Sequence, residues 1–264
     1  DVAKFKPFFG KGTDLTGSLK GRLDGRIQGE HLTATGEVQM EGGRFSWRQR
    51  GRRVEAAIPK ARLSLAWQGN ALSGKGALDL AERGDARGSF VLPIPAVWPV
   101  KIQTAEALRM EVRGRLSEKG ILSVLFPGIV EETRGLMEFD MDASGSWEKP
   151  RWRGQARLSG AGAYIPAAGI RLDDVKASVK WFGDRFEVDA LSIRSGNGVL
   201  TGRGKAWFPS DGAPRYEGTL QGERFPVVYI PELRLWASPA LRFSGTPSRI
   251  TLRGRIDIPE ALVQ

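Results

Sequence analysis

Cysteine is absent from the 264 residues, which removes disulfides, thiol nucleophiles and every thiolate metal site. Histidine occurs once, at His31. A Ser-His-Asp triad would rest on that single ring, and no G-x-S-x-G elbow accompanies it. A metal site would need carboxylates alone, and no D-x-D-x-D-G loop supplies them. Long hydrophobic runs are missing as well. The most apolar stretch, VLPIPAVWPV at 91–100, is too short and too rich in proline to span a bilayer. The chain opens at Asp1 with neither an initiator Met nor a signal-like segment, so it reads as a piece of a longer protein. The expectation is a protein that is not an enzyme and holds no cofactor and no metal.

Glycine and positive charge are abundant instead. There are 34 glycines, nearly twice the usual share of about 7%, so something repeats tight turns. The net charge is +10, carried by both halves of the chain, which excludes a basic tail. Diffuse positive charge suits anionic surfaces of any kind. Three adjacent carboxylate pairs could suggest acid–base chemistry. Asp140 with Asp142 falls on the wet face of a strand, while Asp173 with Asp174 and Glu131 with Glu132 are read as connections. Neither arrangement places two carboxylates across a pocket.

Period-two alternation is the main pattern. ARLSLAW at 61–67 sets Ala61, Leu63, Leu65 and Trp67 against Arg62, Ser64 and Ala66. LMEFDMDA at 136–143, VKASVKW at 175–181 and ITLRGRIDI at 250–258 do the same. Strands place successive side chains on opposite faces, so each of these has one oily and one wet side. One-sided strands imply an antiparallel sheet with a single covered face. Turn signals stand at Gly42-Gly43, Gly69-Asn70, Gly183-Asp184, Gly196-Asn197-Gly198 and Asp211-Gly212. Helix candidates are two short pieces, 2–9 and 119–126, each interrupted or stopped by proline.

The sequence also echoes itself. GSLKGRL from Gly17 matches GLMEFDM from Gly135, and at the same offset Gly36 meets Gly154 and Gly42 meets Gly160. ARLSLAW matches VKASVKW, LSGKG at 72–76 matches LTGRG at 200–204, and GSWEKPRWRGQARL at 145–158 matches GTPSRITLRGRIDI at 245–258. The reading is one continuous repetitive segment over 1–264. It has approximate copies at 1–83 and 119–208, a partial third at 209–264 and a weakly patterned connection at 84–118.

Two other features have competing readings. GNGVLTGRGK at 196–205 lacks P-loop spacing and runs into the strand-like KAWF, so its glycines read as hairpin glycines beside a bulged strand. Arg44, Arg48, Arg50, Arg52 and Arg53, interleaved with Phe45 and Trp47, have the composition of a single-strand nucleic-acid surface. No RNP-type motif or helix-turn-helix pattern supports that use, and an Arg-rich hairpin tip is the plainer account.

If the oily faces stay open they line a trough. An acyl chain in water costs about 0.8 kcal/mol per CH₂, on the order of 12 kcal/mol for sixteen carbons. A continuous greasy groove offsets most of that. Because such burial is non-directional, the chain can slide. The lining expected from the alternation is Leu63, Leu65 and Trp67; Met137, Phe139 and Met141; Val175, Val179 and Trp181; Phe186 and Val188; and Ile250, Leu252 and Ile256.

The units at 145–166 and 236–263 resemble the recurrent G-x-x-x-x-P-x-x-x-G-x-x-x-L/I strand unit of the TamB family, within the wider AsmA-like group. Ile250 stands where the first unit has Pro150. The block 170–208 is similar too. The resemblance implies an all-β, elongated, curled antiparallel sheet forming an open hydrophobic groove, a β-taco. It implies a periplasmic protein of a Gram-negative bacterium, anchored in the inner membrane through an N-terminal segment missing here. Its implied partners are phospholipids and an outer-membrane barrel of the TamA or BamA type, with no nucleic acid. Phospholipid transport between the membranes is the implied activity, and a scaffold for outer-membrane protein assembly by β-augmentation is the alternative.

Overall fold

The computed structural model describes residues 13–49, 52–100, 102–117, 129–209 and 212–263. The helix candidates 2–9 and 119–126 lie outside them, as do Arg50 and Asp211, and nothing is described of the Trp47, Arg48, Arg52 and Arg53 side chains. The described residues are almost entirely strand. In chain order these are β1 (Thr13–Gln28), β2 (His31–Gln49), β3 (Arg52–Gln68), β4 (Ala71–Asp79), β5 (Gly84–Leu92), β6 (Leu108–Ser117), β7 (Glu131–Gly145) and β8 (Pro150–Ile165). They continue with β9 (Ile170–Phe182), β10 (Arg185–Ser195), β11 (Gly198–Trp207), β12 (Arg215–Glu223), β13 (Phe225–Ile230), β14 (Leu233–Thr246) and β15 (Arg249–Val263). Single 3-10 turns at Ala81–Arg83 and Pro166–Ala168 interrupt them. Among the described residues no helix is long and apolar enough to cross a membrane.

The protein is all-β, with one unclosed antiparallel sheet of fifteen strands. Neighbours in sequence are neighbours in the sheet up to β12, which pairs with β14; β13 pairs with the first half of β14 and β15 with its other side. The chain forms two compact units: Asp1–Leu116 with Asp140–Trp152, and Ser117–Phe139 with Arg153–Gln264. The stretch 84–118, weakly patterned in sequence, contributes β5 and β6. Their apolar side includes Gly88 and Gly114 opposite Val112 and Ala86, and glycine hides the period from a count of apolar residues.

Two local expectations need correction. Gly42-Gly43 is not a hairpin turn: both residues lie inside β2, where Gly42 takes φ +61° and the register with β1 shifts between Thr16, opposite Arg44, and Ser18, opposite Glu41. This is a bulge, which glycine allows because it alone enters that backbone region without strain. Asp173 and Asp174 are strand residues of β9, and Glu131 and Glu132 open β7. The glycine-rich run 196–205 is a turn followed by β11, whose partner β10 carries a bulge between Val188 and Leu191.

In the first unit, Met40 and Ile58 form a small core with Leu19, Phe45, Ala61, Leu78 and Leu80 packed against it. In the second, the buried apolar residues are Ala161, Ala163, Ile170, Val175, Phe225 and Ala237. Neither unit has a second sheet among its described residues.

Candidate functional site: an apolar sheet face

Cross-strand register decides which side chains share a face, because a slip of one residue would send a whole strand's apolar set to the other side. In the second unit the registers form continuous rows. One row runs Gly154, Trp181, Phe186, Ala206, Tyr216, Gly245, Ile250. The next runs Ala156, Val179, Val188, Gly204, Gly218, Phe243, Leu252. A third runs Leu158, Ala177, Leu191, Gly202, Leu220, Leu241, Gly254. Each crosses seven strands, about 29 Å at 4.8 Å per strand. No charged residue interrupts any of them.

The first unit repeats the arrangement. Leu63 lies between Val38 and Gly76, Leu65 between Gly36 and Gly74, and Trp67 between Ala34 and Leu72. β1 and β5 extend these rows through Gly21, Leu23 and Gly25 on one side and Gly88, Phe90 and Leu92 on the other.

Glycine has a definite use in these rows. A Cβ on Gly74 would lie 2.6 Å from the Phe90 ring, and one on Gly218 would lie 2.5 Å from that of Phe243. Each ring therefore lies over the neighbouring glycine. The result is a tiled surface rather than a row of pillars, and space above it stays open. Exposure agrees: Leu63, Leu65, Met137, Phe139, Met141, Val179, Trp181 and Val188 are half-buried, Phe186 is slightly more exposed, and Ile250, Leu252 and Ile256 are more than half exposed. Exposed apolar surface of this extent marks an interaction site more often than an accident.

Two of the expected lining residues have other surroundings. Val175, with Ala161 and Ile193 in its row, is buried, and β13 packs against the ends of β9, β10 and β11. The apolar face is thus closed at that end. Trp67 donates its indole N–H to the Ile94 carbonyl at 2.8 Å, so it also ties down the segment after β5. For β7, Gly135 stands against Ala161, since a Cβ there would lie 2.7 Å from the Ala161 Cβ. That contact sets Met137 and Phe139, two and four residues on, towards the same face.

Sequence reasoning missed Leu191, Leu220, Leu241 and Phe243. Each has a glycine as one cross-strand partner, Gly202 for Leu191 and Leu220, Gly254 for Leu241 and Gly218 for Phe243, so no single strand shows a full apolar set. The signal available was alternation of glycine with a large residue across strands, visible only once register is known.

The opposite face is polar and largely self-neutralised. Lys180 meets Asp189 at 2.7 Å, Lys205 and Arg185 flank Glu187 at 3.4 and 3.5 Å, and Arg255 meets Asp257 at 2.6 Å. Lys176 and Arg194 hydrogen-bond the Asp174 carboxylate at 3.0 and 2.9 Å and hold its carboxyl below the usual carboxylate range, Lys176 contributing most. A depression of about 780 Å³ lies on this polar side, between the rows of Glu187–Thr251 and Arg203–Arg253. A twisted sheet is saddle-shaped, so either face can be dished along one direction. A smaller cavity of about 530 Å³ lies at the closed end, between the turns at Gly169 and Gly196 and the residues Arg224, Pro226, Tyr229 and Trp236.

His31 opens β2 and pairs through its backbone with Val97. Among the described residues no three His, Asp or Glu side chains group as a metal site. Asp140, which could have been half of a carboxylate pair, forms an ion pair with Arg113 at 3.1 Å.

No solved structure matches the chain. Residues 189–264, from the middle of β10 through β15, match the family model described as the TamB C-terminal domain. The match covers the 236–263 unit and the last part of the 170–208 block, so this C-terminal stretch of the chain is similar to the TamB C-terminal domain.

Proposed function

We propose that this chain is a lipid-carrying segment of a Gram-negative envelope protein, moving phospholipid acyl chains along its apolar sheet face between the inner and outer membranes. The observation that carries the reading is the register-matched set of apolar rows, free of charge and uncovered by any second layer among the described residues. Such a surface stabilises an alkyl chain at each strand it crosses and fixes it at none, since the attraction follows area rather than direction. Headgroups remain in water beside a chain whose net charge is +10. The periplasmic setting, the inner-membrane anchor and the partnership with an outer-membrane barrel of the TamA or BamA type rest on the similarity of residues 189–264 to the TamB C-terminal domain and complete the proposal.

Native mass spectrometry of the purified protein tests it: bound phospholipid is the expected result, and a lipid-free spectrum under conditions that retain non-covalent ligands counts against it. Val179→Asp and Leu252→Arg sharpen the test. Each puts a charge into an apolar row at a cost of about 2 kcal/mol or more for a chain lying over it. Both should lose lipid while far-UV circular dichroism stays unchanged. Undiminished lipid in both would remove the rows from the mechanism.

A second reading rests on a different observation. Among the described residues β15 has a partner, β14, on one side only, and its fifteen residues are exposed almost throughout. A long free edge offers backbone donors and acceptors to an incoming strand. Photo-crosslinkers at Thr251 or Arg253 that capture strands of outer-membrane proteins, from a protein without lipid, would favour a scaffold role.

A further inference from the structure

Like charges placed directly opposite on neighbouring strands repel, and sheets ordinarily put an acid or a neutral residue between them. The polar face of the second unit follows this rule in the row Lys180, Glu187, Lys205, Glu217, Ser244, Thr251, where signs alternate before giving way to hydroxyls. The next row does not. It runs Arg203, Thr219, Arg242, Arg253, with Arg242 and Arg253 as direct partners. All three guanidinium groups are exposed, and none has an ion pair or side-chain hydrogen bond among the described residues.

These two rows are the walls of the 780 Å³ depression, and its floor is the backbone at Gly204 and Gly218. Thr219, Ser244 and Thr251 contribute hydroxyls to the same lining. Three carboxylates also line it, but Glu187 is engaged by Lys205 and Arg185 and Asp189 by Lys180. Among the described residues Glu217 alone of the three carries no partner. The depression thus presents three uncommitted guanidinium forks, neutral hydroxyl donors and one opposing carboxylate. Adjacent strands set Arg242 and Arg253 about 5 Å apart at the backbone and Arg203 about 10 Å from Arg242. Arginine's planar fork matches phosphate oxygens two at a time.

We infer that this depression binds a ligand carrying two or more linked phosphate groups, held by Arg203, Arg242 and Arg253 with Thr219 and Ser244 donating between them. The ligand relieves the Arg242–Arg253 repulsion. A dished site with a line of forks selects clustered phosphates over the single, laterally mobile charges of a flat membrane. The inference stands on the polar face and does not depend on lipid occupying the apolar one.

Isothermal titration of the intact chain with sodium tripolyphosphate tests it. One-site binding is expected, weakened about tenfold by Arg242→Gln and by Arg203→Gln. Arg242→Lys keeps the charge but loses the fork, so it should fall between wild type and Gln. The double variant Lys75→Gln/Arg109→Gln, which removes two positive charges from the polar face of the first unit, should stay within about twofold of wild type. The variants all alter exposed side chains, and an unchanged circular dichroism spectrum confirms that each is folded. Absence of binding overturns the proposal. So does an equal loss in the control, which would mean diffuse attraction. Binding to phosphatidylcholine vesicles containing phosphatidylglycerol without binding to tripolyphosphate also overturns it, because the face would then read a membrane surface.

Discussion

Each unit lays a short, proline-flanked apolar segment across the tips of its own hairpins, and the two do so by different physics. In the first unit the segment is PIPAVWP at 93–99, outside regular strand except for one bridge. Its hold is a set of backbone hydrogen bonds. Ala96 donates to the Gly69 carbonyl and accepts from Leu32, each at 2.8 Å, and Trp98 donates to Glu30 at 2.9 Å. Pro93, Pro95 and Pro99 have no N–H to offer, and the residues between them supply the donors. In the second unit the segment is β13, FPVVYI, paired with β14. It grips by packing: Phe225 and Pro226 are buried, and the backbone at Arg224 and Tyr229 comes so close to Gly198 and Gly169 that neither could carry a side chain. Hydrogen bonds fix one strap and volume fixes the other. Their weak points should therefore differ.

The largest effect is expected at Phe225. Phe225→Ala removes the buried ring that begins the second strap and should cost about 3 kcal/mol. Hydrogen exchange should quicken at 225–230 and at Val175, with the first unit unaffected. In the first unit the counterpart is Ala96→Asp. Ala96 is 2% exposed, so the substitution buries a carboxylate and should cost about 2 kcal/mol in chemical unfolding. Trp67→Phe is milder. It keeps the ring in the row with Ala34 and Leu72 but leaves the Ile94 carbonyl without its donor, for a loss of about 1 kcal/mol. If Phe225→Ala proved harmless while Trp67→Phe unfolded the chain, the contrast between the straps would be reversed.

The sheet was legible in the sequence where large residues alternate within one strand, as in Leu63, Leu65 and Trp67 or Val175, Val179 and Trp181. It was obscure in β5, β11 and β12, where glycine takes the apolar positions and the large residue sits on the neighbouring strand. The self-similarity had a physical content that composition alone could not reveal. Gly17 and Gly135, aligned in sequence, have φ +143° and +140°, and their partners Gly42 and Gly160 have +61° and +55°. Matched glycines thus accompany register shifts in both places, between Thr16 and Ser18 where β1 pairs with β2 and between Leu158 and Ala161 where β8 pairs with β9. The straps were illegible. In sequence VLPIPAVWPV shows only that it is too short to span a bilayer, and the segment FPVVYI carries no alternation. Their role depends on which hairpin tips lie beneath them, and that is a property of register. For the same reason the expected lining included Val175, which one strap buries, and Trp67, which holds the other.

Charge separates the two straps as well, in a smaller and pH-dependent way. The contacts of the first strap are backbone groups and an indole, none of which titrates in the acid range. Beside the second, the Asp173 carboxylate accepts from the Gly196 N–H at 2.7 Å at the β10–β11 tip, and Asp174 sits between Lys176 and Arg194. Those two cations hold the Asp174 carboxyl below its ordinary value. A carboxylate more acidic in the folded state than in the unfolded one stabilises the fold above the unfolded pKa. That contribution fades as the pH falls through the folded pKa, so the window opens below about pH 4. Asp174→Asn should lower the unfolding midpoint slightly at neutral pH, by an amount that solvent screening keeps small on this face. The difference from wild type should close as the solution is acidified below that point. Exchange at 194–198 should follow the same curve, while exchange at 94–98 should show no change beyond the intrinsic pH dependence of the amides. A gap between wild type and Asp174→Asn that persists at the lowest pH would mean that the side chain acts there through shape, and the electrostatic difference between the straps would disappear with it.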